Sequence, residues 1–114
     1  MIGSVSSQAV GGTERLALLH RYGEAIVRVE NARGKTQDGK FRGELQKLLV
    51  QLMTIRTKVE MMPAARLVAL STLGDLEAME NAMEAAISAE SDTVRAACLE
   101  TASNALTQIS RQLS

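Results

Sequence analysis

The sequence predicts an all-α protein, an antiparallel four-helix bundle with a flexible N-terminal lead, and three observations predict it. Ala, Leu, Glu, Arg and Met dominate the chain, and these residues have high intrinsic helix propensity. Among 114 residues there is one Tyr, one Phe and no Trp. A core must therefore come from Leu, Ala, Val, Ile and Met, and the β-branched and aromatic runs that favour strands are scarce. Apolar residues also recur in steps of three and four along four stretches, the period of one helix face. The length is that of one domain, expected at 13–114.

Residues 1–12, MIGSVSSQAVGG, are rich in Gly and Ser, carry no charge, and read as a flexible segment. The first helix is expected at about 14–33, with Leu16, Leu19, Tyr22, Ile26, Val29 and Ala32 along one stripe. RGKTQDGK then has no apolar period and reads as a loop. The second helix, about 42–62, places Leu45, Leu48, Leu49, Leu52, Ile55, Val59 and Met62 on one face, the strongest helical pattern in the chain. Pro63 marks a break, because proline suits a helix's first turn and disfavours helix at the residue before it.

The third helix is expected from 63 to about 89 with Leu67, Leu70, Leu73, Leu76, Met79, Met83 and Ile87 inward and Gly74 in its middle. Ser91 or Asp92 then caps a fourth helix to about 113, on Val94, Cys98, Ala102, Leu106, Ile109 and Leu113. Short connections at 62–63 and 90–92 predict that sequential helices are antiparallel neighbours. The two halves echo each other at an offset of 54 residues, as Leu45, Leu52 and Ile55 fall on Leu99, Leu106 and Ile109. A shared helical period suffices to explain that match.

The chemical inventory excludes most catalysis. One His and one Cys, in LLHRYG and AACLE, show no metal or redox spacing. RGKTQDGK contains Gly-Lys-Thr but lacks the upstream glycine and strand of a phosphate-binding loop. Glu77, Glu80 and Glu84 lie on one helix face without histidines and read as a solvated surface. No enzyme, no cofactor and no metal site is expected, and His20 reads as a bystander. A single cysteine allows no intrachain disulfide, no apolar run approaches the roughly 18 residues of a membrane span, and the N-terminus lacks the positive charge of a secretory signal. A cytoplasmic protein without a membrane partner is expected.

Net charge is zero but unevenly spread. Residues 14–66 carry eleven Lys and Arg against six Asp and Glu, and residues 67–114 carry two against seven. Two halves folding onto each other would satisfy both. Arg33, Lys35, Lys40 and Arg42 surround the first loop as candidate anion contacts. Nucleic acid is not the expected partner, since net charge is zero and stacking aromatics are nearly absent, although a weak backbone contact stays open.

Methionines suit surfaces that adapt to a partner helix, and Met53, Met79 and Met83 are candidates for one, with core filling as the alternative. Leu18, Val27, Val68 and Ala82 flank the main stripes and broaden the apolar faces of the first and third helices.

The helix order, the helix lengths and the opening stretch resemble the flagellin-specific flagellar export chaperones. That family carries a Leu-rich run followed by Tyr-Asp-Gly-Ala-Ile; here Leu18 and Leu19 precede YGEAI, so Tyr22, Ala25 and Ile26 match while Gly23 and Glu24 differ. ELQKLLVQLMTIRTKV is similar to the family's second helix, and Leu73 and Asp75 open the next seam. Thr13-Glu14 stands where the family has a proline, and the Gly/Ser-rich stretch replaces its tyrosine-bearing N-terminal segment. The resemblance covers residues 13–113 and implies a cytoplasmic export chaperone or adaptor that binds a helical or disordered protein segment, the C-terminal part of flagellin. Its contacts would be Tyr22, Ala25, Ile26, Met53, Met79 and Met83. The alternative is a self-assembling homo-oligomer in a phage DNA-packaging or secretion machine, with its basic loop facing DNA.

Overall fold

A computed structural model describes the backbone of residues 2–69 and 73–113 and the side chains of 14–63, 65–67 and 73–113. It contains α1 (Ile2–Lys35), α2 (Gly39–Met61), α3 (Ala64–Ala69), α4 (Leu73–Ser88) and α5 (Asp92–Leu113), with no strand among the described residues. The protein is all-α, with extents of 56 × 22 × 20 Å.

Local chemistry sets the boundaries. Asp38 is extended and its Oδ1 accepts from the amides of Lys40 (2.9 Å) and Phe41 (3.3 Å), which starts α2. Met62 leaves the helix in extended geometry, as the residue before a proline prefers. The carbonyl of Pro63 accepts from the amides of Arg66 and Leu67, both at 3.1 Å, and so opens α3. At α5 the cap is Ser91, whose Oγ accepts from the Val94 amide at 3.2 Å.

Two boundaries differ from the sequence reading. α1 begins at Ile2, so the stretch expected as a flexible lead falls, from Ile2 on, within the span of a helix; extending an existing helix costs far less than nucleating one. The single helix expected at 63–89 is assigned as α3 and α4, and Leu70, expected inward, lies outside the described residues. Gly74 stands in the first turn of α4 rather than mid-helix, where its backbone entropy would cost about 1 kcal/mol relative to Ala.

Side-chain pairs fix the directions. Arg33, near the end of α1, donates to Gln46 Oε1 in the first half of α2, and Arg15, well inside α1, donates to the Met62 carbonyl at the end of α2, so these helices form an antiparallel hairpin. Gln112 Nε2 reaches Asp75 Oδ2 at 3.4 Å and closes the antiparallel α4–α5 hairpin. Between hairpins the pairing is parallel. Arg21 and Arg28 of α1 meet Glu80 and Glu84 of α4, while Gln51 and Lys58 of α2 meet Ser103 and Ser110 of α5. The expectation of antiparallel sequential neighbours therefore describes α1–α2 and α4–α5 but not the α2-to-α4 step. α3, packed on α1, connects α2 to α4, which lies beside α1.

One cluster fills the centre. It combines Leu18, Tyr22, Ala25, Ile26 and Val29 of α1, seven residues of α2 and Met62, Leu67 of α3, Leu76, Met79, Ala82, Met83 and Ala86 of α4, and six residues of α5 including Leu99 and Ala105. Every inward residue expected of the second helix is buried. The first stripe needs correction: Leu16 is 70% exposed, and Leu18 takes its place. Two positions are about 200° around a helix, so the seam that steps through 18, 22, 25 and 29 must leave Leu16 outside. Leu73 and Val94, each in the first turn of its helix, are also exposed, and Ile87 and Cys98 pack at the core's edge.

Candidate functional site

The six residues expected to hold a partner do not form a surface. Tyr22, Ala25, Ile26, Met79 and Met83 are core residues, and only Met53 is exposed. The same three-and-four period marks a binding stripe and a core seam, and hairpin packing has used this one. Leu18 and Ala82 are likewise buried, Val27 is exposed, and the side chain of Val68 lies outside the described residues.

The four basic candidates do gather around the α1–α2 turn. Arg33 is engaged by Gln46, Arg42 Nη2 donates to the Thr36 carbonyl at 2.7 Å, and Lys35 and Lys40 are exposed. The Asp38 carboxylate already accepts the first free amides of α2, so the helix terminus there offers an anion little. His20 is exposed, its Nε2 3.0 Å from Glu24 Oε1 on the same helix. It borders a shallow trough of ≈ 610 Å³ along α1, with Leu19, Gly23 and Val27 and with Arg56 of α2. Among the described residues no three His, Cys, Asp or Glu side chains come together as metal ligands, and no helix is long and apolar enough to cross a membrane.

A concavity in two parts lies between the parallel helices α2 and α5. Its upper part, ≈ 510 Å³, has Phe41, Ala96 and Leu99 between Lys40, Glu44 and Lys47 on the α2 wall and Asp92, Arg95 and Glu100 on the α5 wall, so both walls are of mixed charge, with Lys47 3.4 Å from Glu44. Its lower part, ≈ 280 Å³, is lined by Val50, Thr54, Ile55, Leu106, Thr107 and Arg111. The hydrogen bond from Ser103 Oγ to Gln51 Oε1 (3.2 Å) crosses between the two parts.

The sequence builds this groove locally. The Asp38 cap fixes where α2 starts and so turns Phe41, in the first turn, inward. The guanidinium carbon of Arg95 lies 4.6 Å from the Phe41 ring centroid, a cation–π contact. Arg95 also donates to the Ala89 carbonyl at 3.0 Å and reaches Asp92 Oδ1 at 3.3 Å, tying the α4 exit to the α5 entry. Its Nε is buried without a hydrogen-bond partner. Further down, the Thr54 and Thr107 hydroxyls bond back to the carbonyls of Val50 and Ser103, at 2.9 and 3.0 Å. With the hydroxyls engaged by their own helices, these residues add methyl surface to the lower groove.

Sequence reasoning missed this feature because most of its walls are polar by residue type. The available signal was the run of Lys40, Glu44, Lys47 and Gln51, spaced three and four apart beside an apolar seam, matched on α5 by Asp92, Ala96, Glu100 and Ser103. Both α5-wall and α2-wall positions are adjacent to the core stripe on their helices, where a neighbouring helix leaves a furrow. No family model, curated protein or solved structure matches this chain.

Proposed function

We propose that the protein is a non-enzymatic cytoplasmic export chaperone or adaptor that seats a helical or disordered segment of a protein partner in the α2–α5 groove. The finer architecture under this reading is a four-helix bundle made of two antiparallel hairpins. The observation that carries it is the groove itself, which follows two parallel helices and combines an apolar floor with polar walls. A furrow between two helices accepts the apolar face of a third, and a partner disordered in solution can fold as it enters. Burial along the groove opposes the entropy lost on ordering. Because the chain resembles the flagellin-specific export chaperones, the C-terminal segment of flagellin is the first client to try.

The test uses a labelled synthetic peptide of that segment and fluorescence anisotropy with the full chain. Thr107→Arg places a long cation in the lower groove at an exposed position. It is expected to weaken binding at least about tenfold, or 1.4 kcal/mol, while circular dichroism and the melting temperature stay as in the wild type. Equal affinity for both proteins would remove the groove from the reading, and no binding to either would remove this client.

A further inference from the structure

We propose that the chain exchanges its second hairpin with another copy, giving a dimer of two bundles in which α1 and α2 come from one chain and α4 and α5 from the other. The exchange does not depend on what the groove binds. Its basis is how unevenly the bundle is tied together. Each hairpin is packed more closely within itself than against the other, and its turn is three residues long, 36–38 or 89–91. Both turns are clasped: Arg42 holds the Thr36 carbonyl and Arg95 the Ala89 carbonyl, while Asp38 and Ser91 cap the helices that follow. Single helices therefore stay with their hairpins.

The link between the hairpins is of another kind. It leaves α2 through the extended Met62 and the exposed Pro63, and of the described side chains of α3 only Leu67 is buried. A helix of this length has little stability of its own. Residues 63–69 span ~10 Å coiled as in α3 and reach ~23 Å unwound, at about 1.5 and 3.3 Å per residue. That reach lets α4 and α5 leave one bundle for another without opening either hairpin.

A second copy is the partner because it carries the matching surface. Register between the hairpins is set on both flanks, by Arg21–Glu80 and Arg28–Glu84 on one and by Gln51–Ser103 and Lys58–Ser110 on the other. All four pairs join one hairpin to the other, around the core that both hairpins share. The α4–α5 hairpin of a second copy offers the same residues in the same order, so exchange remakes each of these contacts, twice per dimer. Such exchange is characteristic of chains built from repeated units. Each groove then takes its α2 wall from one chain and its α5 wall from the other, so the second copy supplies half of the site.

The test uses two variants of the full chain. Arg21→Glu with Arg28→Glu, and Glu80→Arg with Glu84→Arg, each set like charges across α1 and α4, in the closed chain and in the variant's own dimer alike. In a mixed dimer one bundle unites the two reversed surfaces and the other the two unaltered ones, so every pair is again of opposite charge. The variants are combined in urea, refolded by dilution, and compared with each alone by sedimentation equilibrium and thermal melting. The mixture is expected to dimerise at least about tenfold more tightly than either variant and to melt above both. If a variant alone fails to fold, a gain of helical circular dichroism on mixing reads the same recovery. A mixture that stays monomeric, or that melts as its two components do apart, overturns the exchange. So does a dimer formed without the gain in melting temperature, because copies that pair side by side leave each chain's own repulsions in place.

Discussion

Tyr22 gives the sharpest test of the packing. Its side chain is 0% exposed, and its hydroxyl is buried with no hydrogen-bond partner. A buried unsatisfied hydroxyl costs ~1–3 kcal/mol, whereas the small void left by removing it, roughly 10 Å³, costs only ~0.2 kcal/mol at ~24 cal/mol per Å³. Tyr22→Phe is therefore expected to stabilise the protein by about 1 kcal/mol, read as a higher urea midpoint at unchanged slope.

The same hydroxyl predicts a pH dependence. Burial pushes the Tyr22 pKa well above its ordinary value near 10, and the Arg21 charge beside it only partly opposes the rise. Above pH ~10 the unfolded chain loses this proton while the folded chain keeps it. The unfolded state then binds fewer protons, and stability falls by ~1.4 kcal/mol per pH unit until the folded-state pKa is reached. Below pH ~10 the contribution is fully present. With a single tyrosine and no tryptophan in the chain, the ultraviolet absorbance of phenolate follows this one group. Urea titrations of wild type and Tyr22→Phe between neutral pH and pH ~11 should diverge in the wild type's disfavour as pH rises. A destabilised Tyr22→Phe, or phenolate forming at its ordinary pH in the folded protein, would refute the reasoning.

Two further outcomes follow from the same structure. Arg95→Leu loses the Phe41 contact and the Ala89 tie and should cost about 1–2 kcal/mol in chemical denaturation, with the upper groove loosened first; a cost indistinguishable from zero would show those contacts to be incidental. Gly43→Ala, in α2, adds a Cβ that meets nothing within 4 Å and should raise stability by roughly 0.5–1 kcal/mol through helix propensity alone, read as a higher melting temperature.

The helices were legible because each turns on chemistry written in a few adjacent residues. Pro63 announced the end of α2, Ser91 the start of α5, and the Leu45-to-Val59 seam needed only its spacing. Long-range placement was not legible. Nothing in the local pattern of Leu16 separates it from Leu18, since both suit a helix stripe and only the position of the opposing hairpin decides between them. Five of the six expected partner contacts lie in the core for a related reason: a stripe that is apolar enough to bind is apolar enough to be core. The groove escaped because Thr54 and Thr107 read as polar until their hydroxyls are seen to turn back on their own helices, and Ser103 until its hydroxyl is seen bonded to Gln51 of α2. The charge asymmetry was partly informative, and Arg21–Glu80 and Arg28–Glu84 are where the basic and acidic halves meet.

The crossing made by α3 has a consequence for architecture. Because α4 runs alongside α1 in the same direction, and α5 alongside α2, the second hairpin repeats the first by displacement, as successive units do in a stack of helix pairs. In a stack, each layer of like helices forms a continuous sheet-like surface furrowed once per junction. Adding a hairpin would extend that surface by another furrow while leaving the existing one intact, so a chain built on this plan gains binding length by accretion.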